Sequence, residues 1–314
     1  MAPPWAWWPS AIRRDARRDT LVETALSQNG RKVPLPSLPT GVGLTALCTA
    51  REREAENRRP DRLFEDRTAR VLTEVIDELP RPTGLPDGCS ARSRAFMRDF
   101  VALRTRFFDE ELRAASQRCR QVVLLGSGLD SRSFRLDWAP GTEVYEVDRT
   151  DVLRFRHGIL SMIGQEPRCR RAEVGADLRG DWPGALRAAG FNPWRSTAWG
   201  VEELLPYLSH TENNQLLRDI TAMSAPGSRL VMDHFDRALQ RSARFSRLTE
   251  DLYTVSAAWR STLEIPDRWF TPHGWTFALT NPTELARRSG REIPDLFTPQ
   301  AGAQGLMWLI SAAR

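Results

Sequence analysis

Two glycines and an aspartate have the spacing most suggestive of chemistry in this chain of 314 residues. Gly126 and Gly128 follow the apolar run QVVLL, and Asp148 stands 20 residues after Gly128, at the end of a second run, EVYEV. Glycines after a buried strand let the backbone turn with positive φ and let a ligand approach the main chain closely. An acid at the end of the next strand can accept hydrogen bonds from both ribose hydroxyls. This spacing predicts a nucleotide-type pocket.

The same pattern is typical of domains that bind NAD and of domains that bind S-adenosylmethionine. An NAD fingerprint has a third glycine or alanine where this chain has Ser131, which weakens that alternative without removing it. Asp177 follows a predicted short strand at 171–174, so two successive strands end in acids. This arrangement suits one ligand with a ribose and an adenine, although a strand-end aspartate can also simply cap the next helix.

A third candidate, Arg104, lies on the predicted helix that leads into the glycine strand. At 100° per residue the apolar side chains of this helix fall on one broad arc, which includes Arg104 and excludes Arg106. A guanidinium among apolar side chains is costly unless it meets an anion or reaches water. The sequence leaves two partners open: a ligand carboxylate, or an acid of the chain such as Glu111.

These residues are positioned by an alternation of strands and helices that predicts a doubly wound α/β domain of about seven strands, with ligands at the carboxyl ends of the strands. We assign residues 1–39 to a poorly ordered tail, 40–118 to a helical cap and 119–314 to the core. A lid insertion is expected at about 236–272. The aromatic residues Trp259, Trp269, Phe270 and Trp275 in or beside it are expected to pack in the core more often than to line a pocket.

The composition limits the kinds of partner and cofactor that are expected. Acids interleave with the 45 basic residues and the net charge is only +5, so no basic stripe for nucleic acid is expected. No run approaches the roughly 20 apolar residues that span a bilayer. The four cysteines have no CxxC spacing, which argues against a zinc site or disulfide framework and favours a reduced, cytoplasmic setting. We expect no bound metal and a monomer or weak homodimer.

Several segments together resemble a known family. In order and spacing, the matching segments are TGVGLTAL, RRPDRLFED, LRTRFFDEEL, VVLLGSGLDSRSFRLDW, YEVDRTDVL, ADLRGDW and WGVEELLPYL. They are similar to the leucine carboxyl methyltransferase-like family, in particular its actinobacterial branch of S-adenosylmethionine-dependent methyltransferases. The resemblance runs from about Thr40 to the C terminus. It implies a class I methyltransferase, Rossmann-like, seven-stranded sheet with an antiparallel final strand.

The resemblance also implies roles for the matching positions. Gly126 and Gly128 would lie at the methionine end of the cofactor, and Arg104 would pair with the methionine carboxylate. Asp148 would bind the ribose, and Asp177 with Leu178 would surround the adenine. Glu202 would close the pocket near the cofactor. Glu203 departs from the family, which usually has glycine there, so the backbone and pocket shape at this point are expected to differ.

The function implied is S-adenosylmethionine-dependent O-methyl transfer to a carboxylate or hydroxyl of a small molecule, in secondary metabolism. An NAD-dependent oxidoreductase and a non-catalytic cofactor-binding protein are the alternatives. Methyl transfer can proceed mainly by holding the acceptor oxygen in line with the methyl group, so no catalytic residue is assigned. His234, Tyr207, His210 and Glu203 are candidates for a base, which a hydroxyl acceptor can require.

Overall fold

The computed structural model describes residues 27–28, 31–32, 43–78, 91–162, 164–241, 259–292 and 307–314. The predicted N-terminal tail lies outside these ranges, except for the two-residue strands β1 (Ser27–Gln28) and β2 (Arg31–Lys32), which pair antiparallel. Much of the predicted lid, residues 242–258, also lies outside them.

In the described part of the chain, three helices precede the main sheet, whose strands are then joined mostly by helices. The helices are α1 (Gly43–Asn57), α2 (Arg67–Glu78), α3 (Ala91–Ser116), α4 (Arg132–Arg135), α5 (Thr150–Met162), α6 (Trp182–Ala188), α7 (His210–Ala222), α8 (Arg237–Gln240), α9 (Pro266–Phe270) and α10 (Pro282–Arg288). The strands of the main sheet are β3 (Gln121–Leu125), β4 (Glu143–Asp148), β5 (Arg170–Gly175), β6 (Thr197–Val201), β7 (Arg229–Phe235), β8 (Thr276–Thr280) and β9 (Met307–Ala313). Short 3-10 turns follow β6 and α9.

The seven strands form one sheet in the order β5-β4-β3-β6-β7-β9-β8. The five strands from β5 to β7 are parallel, whereas β9 runs antiparallel to both β7 and β8. The predicted seven-stranded class I methyltransferase sheet with an antiparallel final strand is therefore confirmed. The strand order reverses between β3 and β6, which is the position where open α/β sheets bind their ligands.

Both faces of the central strands are covered, which explains why β3 and β6 read as continuous apolar runs rather than alternating ones. Every residue of β3 and of β6 is buried. One face packs against α6 and α7 through Trp182, Leu216 and Ile220. The other packs against α3, whose residues Leu103, Phe107, Phe108 and Leu112 lie against it. The predicted arc of α3 is confirmed, since Arg104 is only 2% exposed while the side chain of Arg106 is 44% exposed.

Two helix starts are explained by the capping residues in their sequence. The hydroxyl of Ser209 accepts a hydrogen bond from the backbone N–H of Glu212, whose carboxylate accepts one from the Ser209 N–H, so α7 begins with a capping box. Asn281 caps α10 by accepting from the backbone N–H of Thr283, and Pro282 occupies the first turn.

The C-terminal part of the sheet contains one strand that the sequence did not predict. β7 extends to Phe235, because Asp233 to Phe235 pair with β9. β8, with the sequence TFALT, was not predicted, since it is a largely exposed edge strand without a clear alternating pattern. Among the aromatic residues near the lid, Phe270 and Trp275 are buried in the core, whereas Trp259 packs on Phe235.

Candidate active site

A cavity of about 230 Å³ lies at the carboxyl ends of β3 to β6, beneath α1. The structure brings all seven site residues named from the sequence to its wall: Arg104, Gly126, Gly128, Asp148, Asp177, Leu178 and Glu202. From α1 the cavity receives Thr45, Ala46, Thr49 and Arg53, so the cap forms one side of it. Residues far apart in the chain meet here because parallel strands place their carboxyl ends at one edge of the sheet.

The glycine turn after β3 is anchored to the end of β4. The backbone N–H groups of Gly126 and Ser127 both donate to the carbonyl of Val147, at 2.9 and 3.1 Å. Gly126 has φ of +67° and Gly128 has φ of +50°, so both adopt a backbone conformation that favours glycine. A Cβ on Gly128 would lie 3.1 Å from the Cβ of Ala46 on α1, so the cap approaches the turn closely.

Asp148 is held in place by backbone donors. Its Oδ2 accepts from the N–H of Gly128 at 2.6 Å and its Oδ1 accepts from the N–H of Arg149 at 2.7 Å. Burial raises the pKa of Asp148, while these two donors favour its charged form. An ionised carboxylate has about four acceptor positions, so two remain for the hydroxyls of a ribose.

Asp177 and Leu178 lie where an adenine would be expected, but they differ in exposure. Leu178 is half-buried and packs against the core beneath β5. The Asp177 side chain is 50% exposed and is bound by Arg179, whose Nη2 lies 2.6 Å from Oδ2. The hydrogen bonds from Arg179 lower the pKa of Asp177 to about 2. The sequence reasoning did not identify Arg179, which also lines the cavity.

Arg104 is surrounded by acids of the chain. Its Nε donates to Glu202 Oε1 at 3.0 Å, its Nη2 donates to Glu203 Oε2, and its Nη1 lies 3.8 Å from Asp233 Oδ2. The sequence left open whether Arg104 meets a ligand carboxylate or an acid of the chain, and in the structure it meets acids of the chain. Among the described residues, the ion pairs of Arg104 do not include Glu111.

A second arginine continues this network. Arg132, at the start of α4, places its Nη1 2.7 Å from Glu202 Oε2 and 2.5 Å from Asp130 Oδ2, and its Nε donates to Asp109. Burial by itself raises the pKa of Glu202, but Arg132 and Arg104 together lower it below its ordinary value. Glu202 is thus an ionised bridge between the two arginines.

The sequence reasoning missed Arg132, Asp130 and Asp233 as parts of the site. Asp130 and Arg132 stand in the segment LDSR directly after the glycine turn, and their position there was the only available signal. Asp233 joins the site because it lies on β7, the neighbour of β6, where it reaches Arg104 and the N–H of Glu203. Burial raises the pKa of Asp233 to about 7, although Arg104 offsets part of this effect.

The four candidate bases divide between two cavities. Glu203 and Tyr207 line the cavity described above. His210 and His234 line a different cavity of about 310 Å³ between α7 and α9. Burial lowers the pKa of His234 to about 3, so its ring is neutral near pH 7, and its Nε2 lies 3.3 Å from Ser261 Oγ. Burial and the charge of Glu203 raise the pKa of Tyr207, so it is a neutral phenol there.

The described part of the chain shows neither a metal-binding cluster nor a membrane-spanning helix. These residues contain no group of three or more His, Cys, Asp or Glu side chains placed to share a metal ion. None of the described helices is both long enough and apolar enough to cross a membrane.

Comparison with known proteins connects this geometry to a family. The family model for leucine carboxyl methyltransferase matches residues 46–221. A protein from Parafrankia sp. (strain EAN1pec), named as an S-adenosyl-L-methionine-dependent methyltransferase, is 42% identical over 260 residues, which cover 81% of this chain and 83% of that protein. A protein with the same kind of name from Rhodococcus jostii (strain RHA1) is 40% identical over 266 residues, covering 82% and 90%.

A solved structure supports the fold. A DUF574 family protein from Streptomyces avermitilis MA-4680 superposes with a TM-score of 0.56, covering 85% of this chain and 97% of that chain. Because the two sequences are only 15% identical, this likeness bears on the fold alone.

Proposed function

Because this chain belongs to the leucine carboxyl methyltransferase family and is an S-adenosyl-L-methionine-dependent methyltransferase, we propose that it transfers the methyl group to an oxygen of a small molecule, a carboxylate or a hydroxyl. Membership of this family favours the methyltransferase over the two alternatives that the sequence left open, an NAD-dependent oxidoreductase and a non-catalytic cofactor-binding protein. The name of the family supports an oxygen acceptor, since a carboxyl methyltransferase methylates a carboxyl oxygen. Secondary metabolism is the setting that we propose for the acceptor.

The cofactor fits the residues that are present. The turn at Gly126 and Gly128 brings bare backbone to the cavity wall, where a Cβ on either residue would press on Leu204 or Ala46. Asp148 retains acceptor capacity for ribose hydroxyls, and Leu178 offers an apolar surface for an adenine. We therefore propose that these residues, with Asp177 and Glu202, hold S-adenosyl-L-methionine, and that Arg104 binds the carboxylate of its methionine moiety.

The observation that carries the proposal is the continuity of the cavity across the strand ends. The carboxyl ends of β5, β4 and β3 lie side by side in the sheet and carry Asp177, Asp148 and Gly126, in that order. The next strand, β6, is followed by Glu202 and Glu203. A cofactor laid from β5 to β3 leaves the end near β6 for the acceptor. There Glu203, Tyr207 and Thr49 of the cap line the cavity.

The bound cofactor supplies a methyl group that its positively charged sulfur makes electrophilic. The protein holds the acceptor and excludes water, with α1 covering the strand ends. A carboxylate acceptor needs no base. For a hydroxyl acceptor, Glu203 is the carboxylate that lines the cavity at the acceptor end, while the Tyr207 phenol can donate a hydrogen bond.

We also propose a cytoplasmic monomer or weak homodimer that acts on neither nucleic acid nor membranes. Cys48, Cys119 and Cys169 are all free thiols in the structure, as expected of a reducing compartment. The fourth cysteine, Cys89, lies outside the described residues.

The decisive experiment follows the methyl group. The protein is incubated with methyl-labelled S-adenosyl-L-methionine and a metabolite extract, and the labelled products are identified by mass spectrometry. We expect label in a small molecule, on oxygen. Mild alkali then distinguishes the acceptors, because it releases the label from a methyl ester and leaves it on a methyl ether. Label on nitrogen, carbon or a macromolecule would contradict the proposal.

A further inference from the structure

Glu203 has an unusual backbone. Its φ is +52°, and among the described residues it is the only one other than glycine with a positive φ. A residue with a Cβ adopts this conformation at a cost, and such strain is found where surrounding contacts impose it, often at functional sites. Here the backbone N–H of Glu203 donates to Asp233 Oδ1 at 2.7 Å, which fixes the turn after β6.

This conformation directs the side chain across the cavity. Glu203 Oε2 accepts from Thr49 Oγ1 on α1 at 3.0 Å and from Arg104 Nη2 on α3. The Glu203 side chain remains 19% exposed. One carboxylate therefore ties the end of β6, the cap helix and the buried guanidinium together.

The charges around Arg104 are not balanced. Three carboxylates face this one guanidinium, those of Glu202, Glu203 and Asp233. Glu202 has a second cation in Arg132, whereas among the described residues Glu203 and Asp233 are ion-paired with Arg104 alone. A ligand carboxylate brought to Arg104 would add a further negative group beside Glu202 and Glu203 around the same cation, and like charges at such distances repel strongly in a buried site.

We propose that Glu203 is an internal ligand of Arg104 that competes with the carboxylate of the methionine moiety of S-adenosyl-L-methionine. Cofactor binding displaces Glu203 from Arg104 and breaks its hydrogen bond to Thr49, so binding of the methionine end of the cofactor is coupled to the contact between Glu203 and α1. This inference rests on the proposed role of Arg104 in the cofactor site. It makes Glu203 a residue that weakens recognition of the amino-acid end of the ligand and leaves recognition of the adenosine end unchanged.

Two commercially available ligands separate these ends. S-adenosylhomocysteine carries the amino-acid carboxylate, whereas 5′-methylthioadenosine has the adenosine and the sulfur without it. Isothermal titration of both ligands would be compared for the wild type, Glu203→Gln and Glu110→Gln. Glu110 is the matched control, because it is paired with Arg106 on the exposed side of α3.

We expect Glu203→Gln to bind S-adenosylhomocysteine about tenfold more tightly than the wild type, which corresponds to about 1.4 kcal/mol. Its affinity for 5′-methylthioadenosine should stay within about twofold, because that ligand has no carboxylate to compete with Glu203. Glu110→Gln should bind both ligands like the wild type. In an Arg104→Met background, Glu203→Gln should give no gain, because the guanidinium for which the two carboxylates compete is gone.

Unchanged or weaker binding of S-adenosylhomocysteine by Glu203→Gln would overturn the inference, as would a gain that persists without Arg104. If Glu203→Gln fails to fold, Glu203→Gly serves for the same titration, since it removes the carboxylate and relieves the positive φ. A wild type that binds neither ligand would instead contradict the proposed cofactor site, so the two failures are distinguishable.

Discussion

The carboxylate of Asp148 accepts a hydrogen bond from the backbone N–H of Gly128 at 2.6 Å. This bond joins the glycine turn after β3 to the acid that ends β4. It sets the position of the turn and the orientation of the carboxylate together, so a change to either residue should alter the cofactor site.

Gly128→Ala should destabilise the protein more than Gly141→Ala. Both glycines have positive φ, +50° and +78°, so both variants carry the backbone cost of about 1–2 kcal/mol for a residue with a Cβ. Only at Gly128 would the new methyl group press on Ala46, since nothing lies within 4 Å of a Cβ at Gly141. Urea denaturation of the two variants measures the difference. Equal losses of unfolding free energy would show that α1 shifts to make room for the methyl group without a loss of stability.

Asp148→Ala should weaken the binding of S-adenosylhomocysteine and of 5′-methylthioadenosine equally, because both contain the ribose. Loss of hydrogen bonds to a charged group is worth roughly 1.5–3 kcal/mol, or about ten- to a hundredfold in affinity. Calorimetric titration gives both constants. Asp137→Ala is the control, since the side chain of Asp137 is 89% exposed and lies outside the cavity. If Asp148→Ala bound both ligands as tightly as the wild type, Asp148 would not be part of the cofactor site.

Arg104→Met should lower the free energy of unfolding by about 3–5 kcal/mol, because it leaves buried carboxylates without their cation. Arg106→Met, two positions further along α3, removes an exposed pair with Glu110 and a hydrogen bond to the Leu63 carbonyl, and should cost only about 1–2 kcal/mol. Adding Glu203→Gln to Arg104→Met should restore part of the loss, since one unpaired carboxylate is then gone. Chemical denaturation of the three variants tests this order, and equal losses for Arg104→Met and Arg106→Met would contradict it.

The stability of the protein should depend on Asp233 between about pH 4 and pH 7. The pKa of Asp233 is raised from 3.8 to about 7 in the folded protein, mainly by burial, so the folded state keeps a proton that the unfolded chain has lost. Stability therefore falls as the pH rises through this window, by at most about 1.4 kcal/mol per pH unit from this group, and levels off above about pH 7.

Asp233→Asn lacks this dependence and retains an oxygen that can accept from the N–H of Glu203. Urea denaturation of both proteins at several pH values between 5 and 8 should show the wild type losing stability relative to the variant as the pH rises. Parallel pH profiles would show that Asp233 is ionised in the folded protein throughout.

The sequence by itself determined the parallel core, the glycine turn, Asp148 and the inward position of Arg104. These features depend on local rules: apolar runs form buried strands, glycine permits positive φ, and a helix places residues on one face at 100° per step. Each rule applies to neighbours in the chain, so it can be read without knowing the fold.

Only the tertiary structure decided which charges surround Arg104. Glu202 and Glu203 approach it from β6, 98 and 99 residues away in the chain, and Asp233 approaches it from β7. Asp233 became part of the site because pairing with β9 extends β7, and His234 on the same strand was thereby placed in the other cavity. Contacts between distant segments depend on strand order and register, and a single sequence encodes these only through the packing of the whole domain.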